Sequence, residues 1–382
     1  EDEAHRCLKN YDYTFVVNVY KKEARNPLVL GLTASPGSDV ATISQICKNL
    51  GAEAVEVRTR ESADVMPYIK KLQTEVVKVE FPEKFREIRE PLYRIYEKRI
   101  EELRNRGLLF RGQKATKKTL LVLQGKLIRA AQSGSKNFHI LRGISLLAEI
   151  LKLNYALELL ETQTVTSLNN YVEGIIKDSE KTKVKAVKSL VKNVDFQLAA
   201  LKIKKLREIE TEHPKLQKLL ELFKTANLGK KVLIFAQYRA TVEQINKLLQ
   251  QQKIKSAIFV GQRGERGLKQ REQQEILREF TDGKINCLVA TSIGEEGLDI
   301  PEVNTVIFYE PVPSEIRKIQ RAGRTARLKP GRLIILLTKG TKDESYHWAA
   351  YYKEKRMLNI LENMKEHLKK KIKKQRSLGE FS

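Results

Sequence analysis

Four short strings in this 382-residue sequence combine residue types that could act on phosphate groups. Asp2-Glu3-Ala4-His5 sets two carboxylates side by side at what reads as a strand end. In a phosphoryl-transfer site one such carboxylate helps hold a hydrated Mg²⁺, and its neighbour orients or deprotonates the attacking water. In Gln320-Arg321-Ala322-Gly323-Arg324-Thr325-Ala326-Arg327, Arg324 and Arg327 stand three positions apart. On a helical turn Arg324 and Arg327 would point the same way and together neutralise the charge spread over a transferring phosphoryl group. Thr291-Ser292-Ile293-Gly294-Glu295-Glu296-Gly297-Leu298-Asp299-Ile300 supplies glycines for close backbone approach, hydroxyls for phosphates, and carboxylates for a ribose or a basic neighbour. Thr33-Ala34-Ser35, just before Pro36-Gly37, offers small hydroxyls to the acidic string, although Ser and Thr before Pro-Gly also simply make turns.

Strands and helices must bring these strings together. A helix reaching Arg25 leads to the apolar segment Pro27 to Leu32, read as a buried strand. A helix over Val40 to Leu50 then precedes a second short strand, Ala54 to Arg58. Val76 to Phe81 ends this first α/β stretch. From Glu83 to Ile209 the short apolar strands give way to long charged segments with helical spacing, as in Leu146, Leu147, Ile150, Leu151, Leu153 and Leu157. Strands at Lys231–Phe235, Ser256–Val260, Asn286–Ala290, Val303–Tyr309 and Gly331–Thr338 then alternate with helices, the order of an open parallel sheet. The predicted division is residues 1–82, 83–209, 210–352 and a basic helix or linker over 353–382.

Lys and Arg number 72 against 47 Asp and Glu, a formal charge of +25, which favours a polyanionic partner through counterion release. A solubilising surface is the plainer explanation of the same number. Cys7, Cys47 and Cys287 are too scattered for a disulfide framework or zinc knuckle and suit a reducing compartment. With no apolar run of about 18 residues, no membrane span is expected, and an intracellular, cytoplasmic location follows. Lysines at 181, 183, 185 and 188 are candidate phosphate contacts within the helical stretch. Lys365, Lys369, Lys370, Lys371, Lys373 and Lys374 either meet nucleic acid or lie on an exposed helix.

In order, Asp2–His5, Thr33–Ser35, Phe235–Arg239, Thr291–Asp299 and Gln320–Arg327 resemble motifs II to VI of superfamily 2 helicases. Leu30–Gly37, Val260-Gly261-Gln262 and Tyr309–Ser314 are similar, more closely, to the archaeal Hef helicase/nuclease family and its Fanconi anaemia M-type counterparts. The resemblance implies an α/β fold of two RecA-like parallel-sheet domains, the first truncated, with a helical insertion between them. It implies an ATP-dependent DNA helicase or translocase acting on forked or branched DNA in replication-fork repair, with ATP and Mg²⁺ as cofactors, contacts to single-stranded DNA, and a nuclease domain elsewhere in the polypeptide. Residue by residue, Asp2 becomes the Mg²⁺-linked carboxylate and Glu3 the catalytic base, while His5, Thr33 and Ser35 couple nucleotide state to domain contacts. Gln320 orients near the nucleotide, and Arg324 and Arg327 act on its terminal phosphate as arginine fingers. Gly297 and Asp299 shape the nucleotide side, and Arg239 and Thr291 grip the nucleic-acid backbone. Phe235 and Tyr238 support the fourth motif.

No G-x-x-x-x-G-K-[ST] loop occurs in the sequence, although nucleotide phosphates need its backbone donors and lysine. The acidic string also lacks a preceding strand. The expectation is therefore a fragment of a longer polypeptide, inactive alone as an ATPase. An RNA-duplex-dependent ATPase and a non-hydrolytic nucleic-acid-binding scaffold stay open as alternatives.

Overall fold

The structure, a computed structural model, describes the chain apart from residues 10, 60–61, 135–136, 182–183, 263–266, 295–299, 327 and 380–382, and apart from the side chains of 367–379. A 3-10 turn at Ala4–Arg6 precedes α1 (Asp12–Glu23) and α2 (Val40–Leu50). After β1 (Leu72–Val79) come α3 (Glu83–Asn105), α4 (Lys117–Gln132), α5 (Phe138–Thr162), α6 (Val165–Lys181), α7 (Lys185–Val191) and α8 (Val194–Glu208). The chain then alternates: α9 (Pro214–Thr225), β2 (Val232–Phe235), α10 (Arg239–Gln251), β3 (Ser256–Phe259), α11 (Gln270–Thr281) and β4 (Cys287–Ala290). It finishes with β5 (Thr305–Phe308), α12 (Glu315–Ala322), β6 (Gly331–Thr338) and α13 (Lys342–Gly379).

Among the described residues one six-stranded sheet forms, in the order β1-β6-β5-β2-β4-β3, with every pairing parallel. Alternate side chains of a strand face opposite sides. Val232 and Ile234 accordingly pack with Leu216, Leu219, Val242 and Ile245 of α9 and α10, whereas Leu233 and Phe235 pack with Phe259, Phe280 and Phe308 on the other face. With both faces covered, β2 and β4 read as continuous apolar runs rather than alternating ones.

Three sequence expectations need correction. β1, assigned to the first block, is an edge strand of this sheet: it pairs with β6 from Leu72↔Gly331 to Val79↔Thr338, and Val77 enters the core beside α9. The boundary at 82/83 thus falls after a strand that belongs with the later block. The predicted strands at 27–32 and 54–58 join no ladder. Residues 30–32 exchange backbone hydrogen bonds only with Glu1 and Ala4 (Leu32 N to Glu1 O and Ala4 N to Leu32 O, both 2.8 Å), and Leu28 and Leu30 stay exposed. The first block packs α1 and α2 around Ala4, Cys7, Val17 and Ile46. The boundary at 352/353 falls inside α13.

The helical bundle has two cores. One joins the first half of α3 to the end of α5, α6 and α8; the other joins the last turns of α3 to α4 and the start of α5. α3 and α5 run antiparallel, held by Arg99 Nε to Glu149 (2.7 Å) and by Arg142 clasping both oxygens of Glu102 at 2.9 and 2.8 Å.

The bundle meets the sheet through buried polar contacts. Thr241 of α10 donates to Gln163 (2.8 Å), Tyr238 donates to Glu158 (3.1 Å), and Lys342 Nζ donates to Asn154 O (2.9 Å). Nearby, Lys215 and Asp343 form an ion pair at 2.8 Å with both side chains fully buried, and Lys215 lies over the Tyr309 ring. Removing one member strands the other charge away from water. Asp343→Ala is expected to cost about 3 kcal/mol or more, and a Lys215→Met/Asp343→Leu pair much less. Chemical denaturation of both variants checks this, and equal losses would contradict it.

Candidate active site and nucleic-acid interface

The structure brings the first two strings together. The 3-10 turn after Glu3 points His5 back at the extended segment, where its Nδ1 lies 3.1 Å from Thr33 Oγ1 and 3.2 Å from Glu3 Oε2. Burial lowers the His5 pKa, outweighing the opposing pull of Glu3, so the ring is neutral near pH 7. Thr33 Oγ1 also accepts from Ser35 N at 3.2 Å. Glu3 holds a left-handed backbone (φ 50), which turns the chain sharply between the two carboxylates. Asp2 is exposed, and one of its carboxylate oxygens accepts from Glu3 N at 2.9 Å. An exposed hard-oxygen donor beside a second carboxylate fits Mg²⁺ held jointly with nucleotide phosphates. Among the described residues no group of three or more His, Cys, Asp or Glu could hold a metal on its own.

The later strings converge on Phe235 at the end of β2. The Arg321 guanidinium lies 4.9 Å from that ring and 5.7 Å from Phe308. Gly294, in the turn after β4, packs so closely that a Cβ there would sit 2.9 Å from the ring. Arg321 is fully buried. The sequence gives no sign of this burial, since an arginine on a short charged helix reads as surface.

α12 stops at Ala322 with Gly323 as its C-cap, and Thr325 is captured instead by Val303, its hydroxyl donating to Val303 O at 2.6 Å and its backbone bridging to the same residue. A Cβ on Gly331 would meet Thr325 Oγ1 at 2.1 Å, so this loop presses on the start of β6. Arg324 keeps its place beyond the helix end and is 8% exposed. Arg327, Gly297, Asp299 and Lys183 lie outside the described residues, as do the side chains of Lys369, Lys370, Lys371, Lys373 and Lys374. Gln320 lies on the last turn of α12.

The residues expected to grip the nucleic-acid backbone lie at the ends of the sheet's elements and on the bundle. Thr291 is buried at the end of β4, its amide donating to Phe259 O. Arg239 starts α10 and donates to Gly261 O at 2.7 Å. Tyr238 accepts from Gln237 Nε2 of its own motif at 3.4 Å and donates to Glu158 of the helical bundle. Lys181, Lys185 and Lys188 are exposed; the last two lie on α7, whose Ala186, Val187 and Leu190 are buried. Lys365 pairs with Glu56 at 2.8 Å.

α13 touches both groups of motifs. Ser35 Oγ donates to Met357 Sδ at 2.9 Å, and Met357 and Leu361 pack with Ile43 of α2 and Ile319 of α12. Lys318 of α12 pairs with Glu354 at 2.6 Å.

Glu310, after β5, is a functional neighbour that the sequence did not single out. Its carboxylate accepts from Gln237 N at 2.5 Å. Burial pushes its pKa up to about 7 against the pull of Lys215 and Arg321. An unfolded chain loses that proton near the ordinary value of 4.5. Between the two values the folded protein holds a proton that the unfolded chain has released, so this group's contribution falls as pH rises through that window. Glu310→Gln never ionises. Relative to the parent its Tm is expected to rise by a few degrees at pH 8 and to change little at pH 5; thermal melts at both pH values measure this, and equal shifts would contradict it.

With the geometry in place, comparison with known proteins identifies relatives. The helicase conserved C-terminal domain family matches residues 214–329, and the family described as "Putative ATP-dependent RNA helicase, helical bundle" matches 84–210. The crystal structure of the Pyrococcus furiosus Hef helicase domain is 43% identical with a TM-score of 0.69, covering 91% of this chain and 72% of that one. A Methanocaldococcus jannaschii protein named "Putative ATP-dependent RNA helicase" is 38% identical over 97% of this chain and 46% of its own length. The Mus musculus Fanconi anemia group M protein homolog is 32% identical over 91% of this chain and 19% of its own. The chain thus spans less than half the length of these two curated relatives. Among the described residues no helix is long and apolar enough to cross a membrane.

Proposed function

The chain belongs to the Hef and Fanconi anaemia M-type family of superfamily 2 helicases, and from that premise we propose that it forms part of an ATP-driven motor that moves along DNA and acts at forks and branches. In this reading residues before β1 belong to the first motor domain, α3–α8 are the insertion, and the six-stranded sheet is the second motor domain. The sequence contains no phosphate loop of the G-x-x-x-x-G-K-[ST] type, so activity belongs to a polypeptide that joins such a loop to these residues.

Asp2 would hold Mg²⁺, which offsets phosphate charge during transfer. Glu3 takes the proton of the attacking water, and Gln320 and Arg324 meet the terminal phosphate. Gly297, Asp299 and Arg327 are assigned to the nucleotide by motif alone. His5, Thr33 and Ser35 pass the nucleotide state onward, while Arg239, Thr291 and Lys181, Lys183, Lys185 and Lys188 contact the DNA backbone. Such contacts fix position rather than sequence, so preference is for DNA shape.

The observation that carries this reading is the physical route from Thr33 through Ser35 to Met357 of α13, and from α13 through Glu354 to Lys318 of α12. It joins the acidic motif to the helix that precedes Arg324, as a motor that converts hydrolysis into domain movement requires. The test is strand separation of a labelled forked DNA with ATP, against a blunt DNA duplex and an RNA duplex. Faster separation of the fork supports the proposal. Faster separation of the RNA duplex favours an RNA enzyme, a reading supported by the names of the helical-bundle family and of the Methanocaldococcus relative.

A further inference from the structure

The end of the helical bundle farthest from the sheet has a composition that packing does not explain. Residues 103–148 contain ten lysines and arginines and no aspartate or glutamate. At this end two aromatic rings face solvent: Phe110, after α3, is 79% exposed, and Phe138, the first residue of α5, is 76% exposed. α3 is about 35 Å long at 1.5 Å per residue, so the rings stand well clear of the interface at Gln163 and Lys342.

The tip is built rather than loose. Gly107 takes a left-handed φ of 70, and Leu108 and Leu109 fold back onto Leu103 O, which turns Phe110 outward. His139 Nε2 lies 2.8 Å from Arg106 O, and the Arg106 guanidinium lies over the Phe138 ring at 5.9 Å. Leu108 packs where a Cβ on Gly143 would come within 2.6 Å, so the loop is pressed tightly on α5. Arg111 and Lys114 are exposed on the same loop.

Two exposed aromatic rings on a rigid support, beside the exposed cations Arg111 and Lys114, match the chemistry of unpaired nucleotides: the cations neutralise phosphates, and each ring offers a face to a base. We propose that Phe110 and Phe138 stack on unpaired bases at a DNA branch point, making this tip the element that distinguishes a branch from continuous duplex. A duplex hides its base faces in its own stack and would gain only from the charges. The inference rests on the branched-DNA reading above and assigns discrimination to the tip rather than to Lys181, Lys185 and Lys188.

The experiment is fluorescence anisotropy of the full-length chain on a labelled fork and on a blunt duplex with the same number of phosphates, with 2-aminopurine at the fork junction in a parallel series. Phe110→Ala and Phe138→Ala are each expected to weaken fork binding about tenfold, to leave duplex binding and salt dependence unchanged, and to abolish the 2-aminopurine quenching. Phe138→Trp is expected to retain quenching and Phe138→Leu to lose it. Arg111→Gln is expected to weaken fork and duplex alike and to lower the salt slope by about one. Since both rings are exposed, unchanged thermal melts separate stacking from misfolding. Fork preference undiminished in the double alanine variant overturns the inference alone. A parent protein without any preference for the fork overturns the branched-DNA reading and the inference together.

Discussion

Arg324→Ala is expected to lower kcat for ATP about 10³-fold in the polypeptide that carries the phosphate loop, with little change in nucleotide affinity. A guanidinium that meets the terminal phosphate only as charge develops contributes to the transition state and not to the bound ground state. Its position follows from local structure: α12 ends at Gly323, Thr325 is tied to Val303, and Arg324 lies between these two fixed points. Those anchors do not involve the Arg324 side chain, so the loop is expected to survive the substitution. Arg324→Lys is expected to rescue little, because an ammonium cannot reproduce the two-pronged contact. Single-turnover hydrolysis, with nucleotide binding measured separately, decides the matter; a matching loss of affinity would mean that Arg324 serves binding or folding.

Glu3→Gln is expected to lower turnover by about 10² to 10⁴-fold while ATP still binds, the range for loss of a general base. The substitution keeps shape and hydrogen-bonding capacity, so the left-handed turn at Glu3 and the His5 to Thr33 contact at 3.1 Å are expected to persist. Retained hydrolysis with lost strand separation would move Glu3 from catalysis to coupling.

The strands of the sheet and the helix α2 were legible because period and punctuation agreed: Gly331–Thr338 and Val40–Leu50 form as read, and β2 to β5 differ from the expectation only at their ends. β1 was misassigned because sequence order put it beside the first block, whereas its partner β6 follows it by some 250 residues and no local pattern announces a pairing at that distance. The segments at 27–32 and 54–58 have the composition of buried strands, but a ladder needs a neighbour, and the first block supplies one only at residues 1–4.

At the candidate site the motifs gave His5, Thr33 and Ser35, which do meet. Arg324 lies outside the helical turn on which the sequence placed it, because Gly323 ends α12 before it. Arg321, Glu310, Lys215 and Asp343 stayed hidden for a different reason. Charged residues are read as surface by default, and their burial is visible only once β2, β5 and α9 enclose them.

The central claim is that these residues belong to a motor driven by ATP and governed by branched DNA. Steady-state ATP hydrolysis by the polypeptide carrying the phosphate loop, compared with forked DNA, duplex RNA, single strands and no nucleic acid, tests it most directly. The account predicts strong stimulation by the fork that disappears in Glu3→Gln and Arg324→Ala. Turnover that rises mainly with duplex RNA, or that never exceeds the two variants with any nucleic acid, would contradict it.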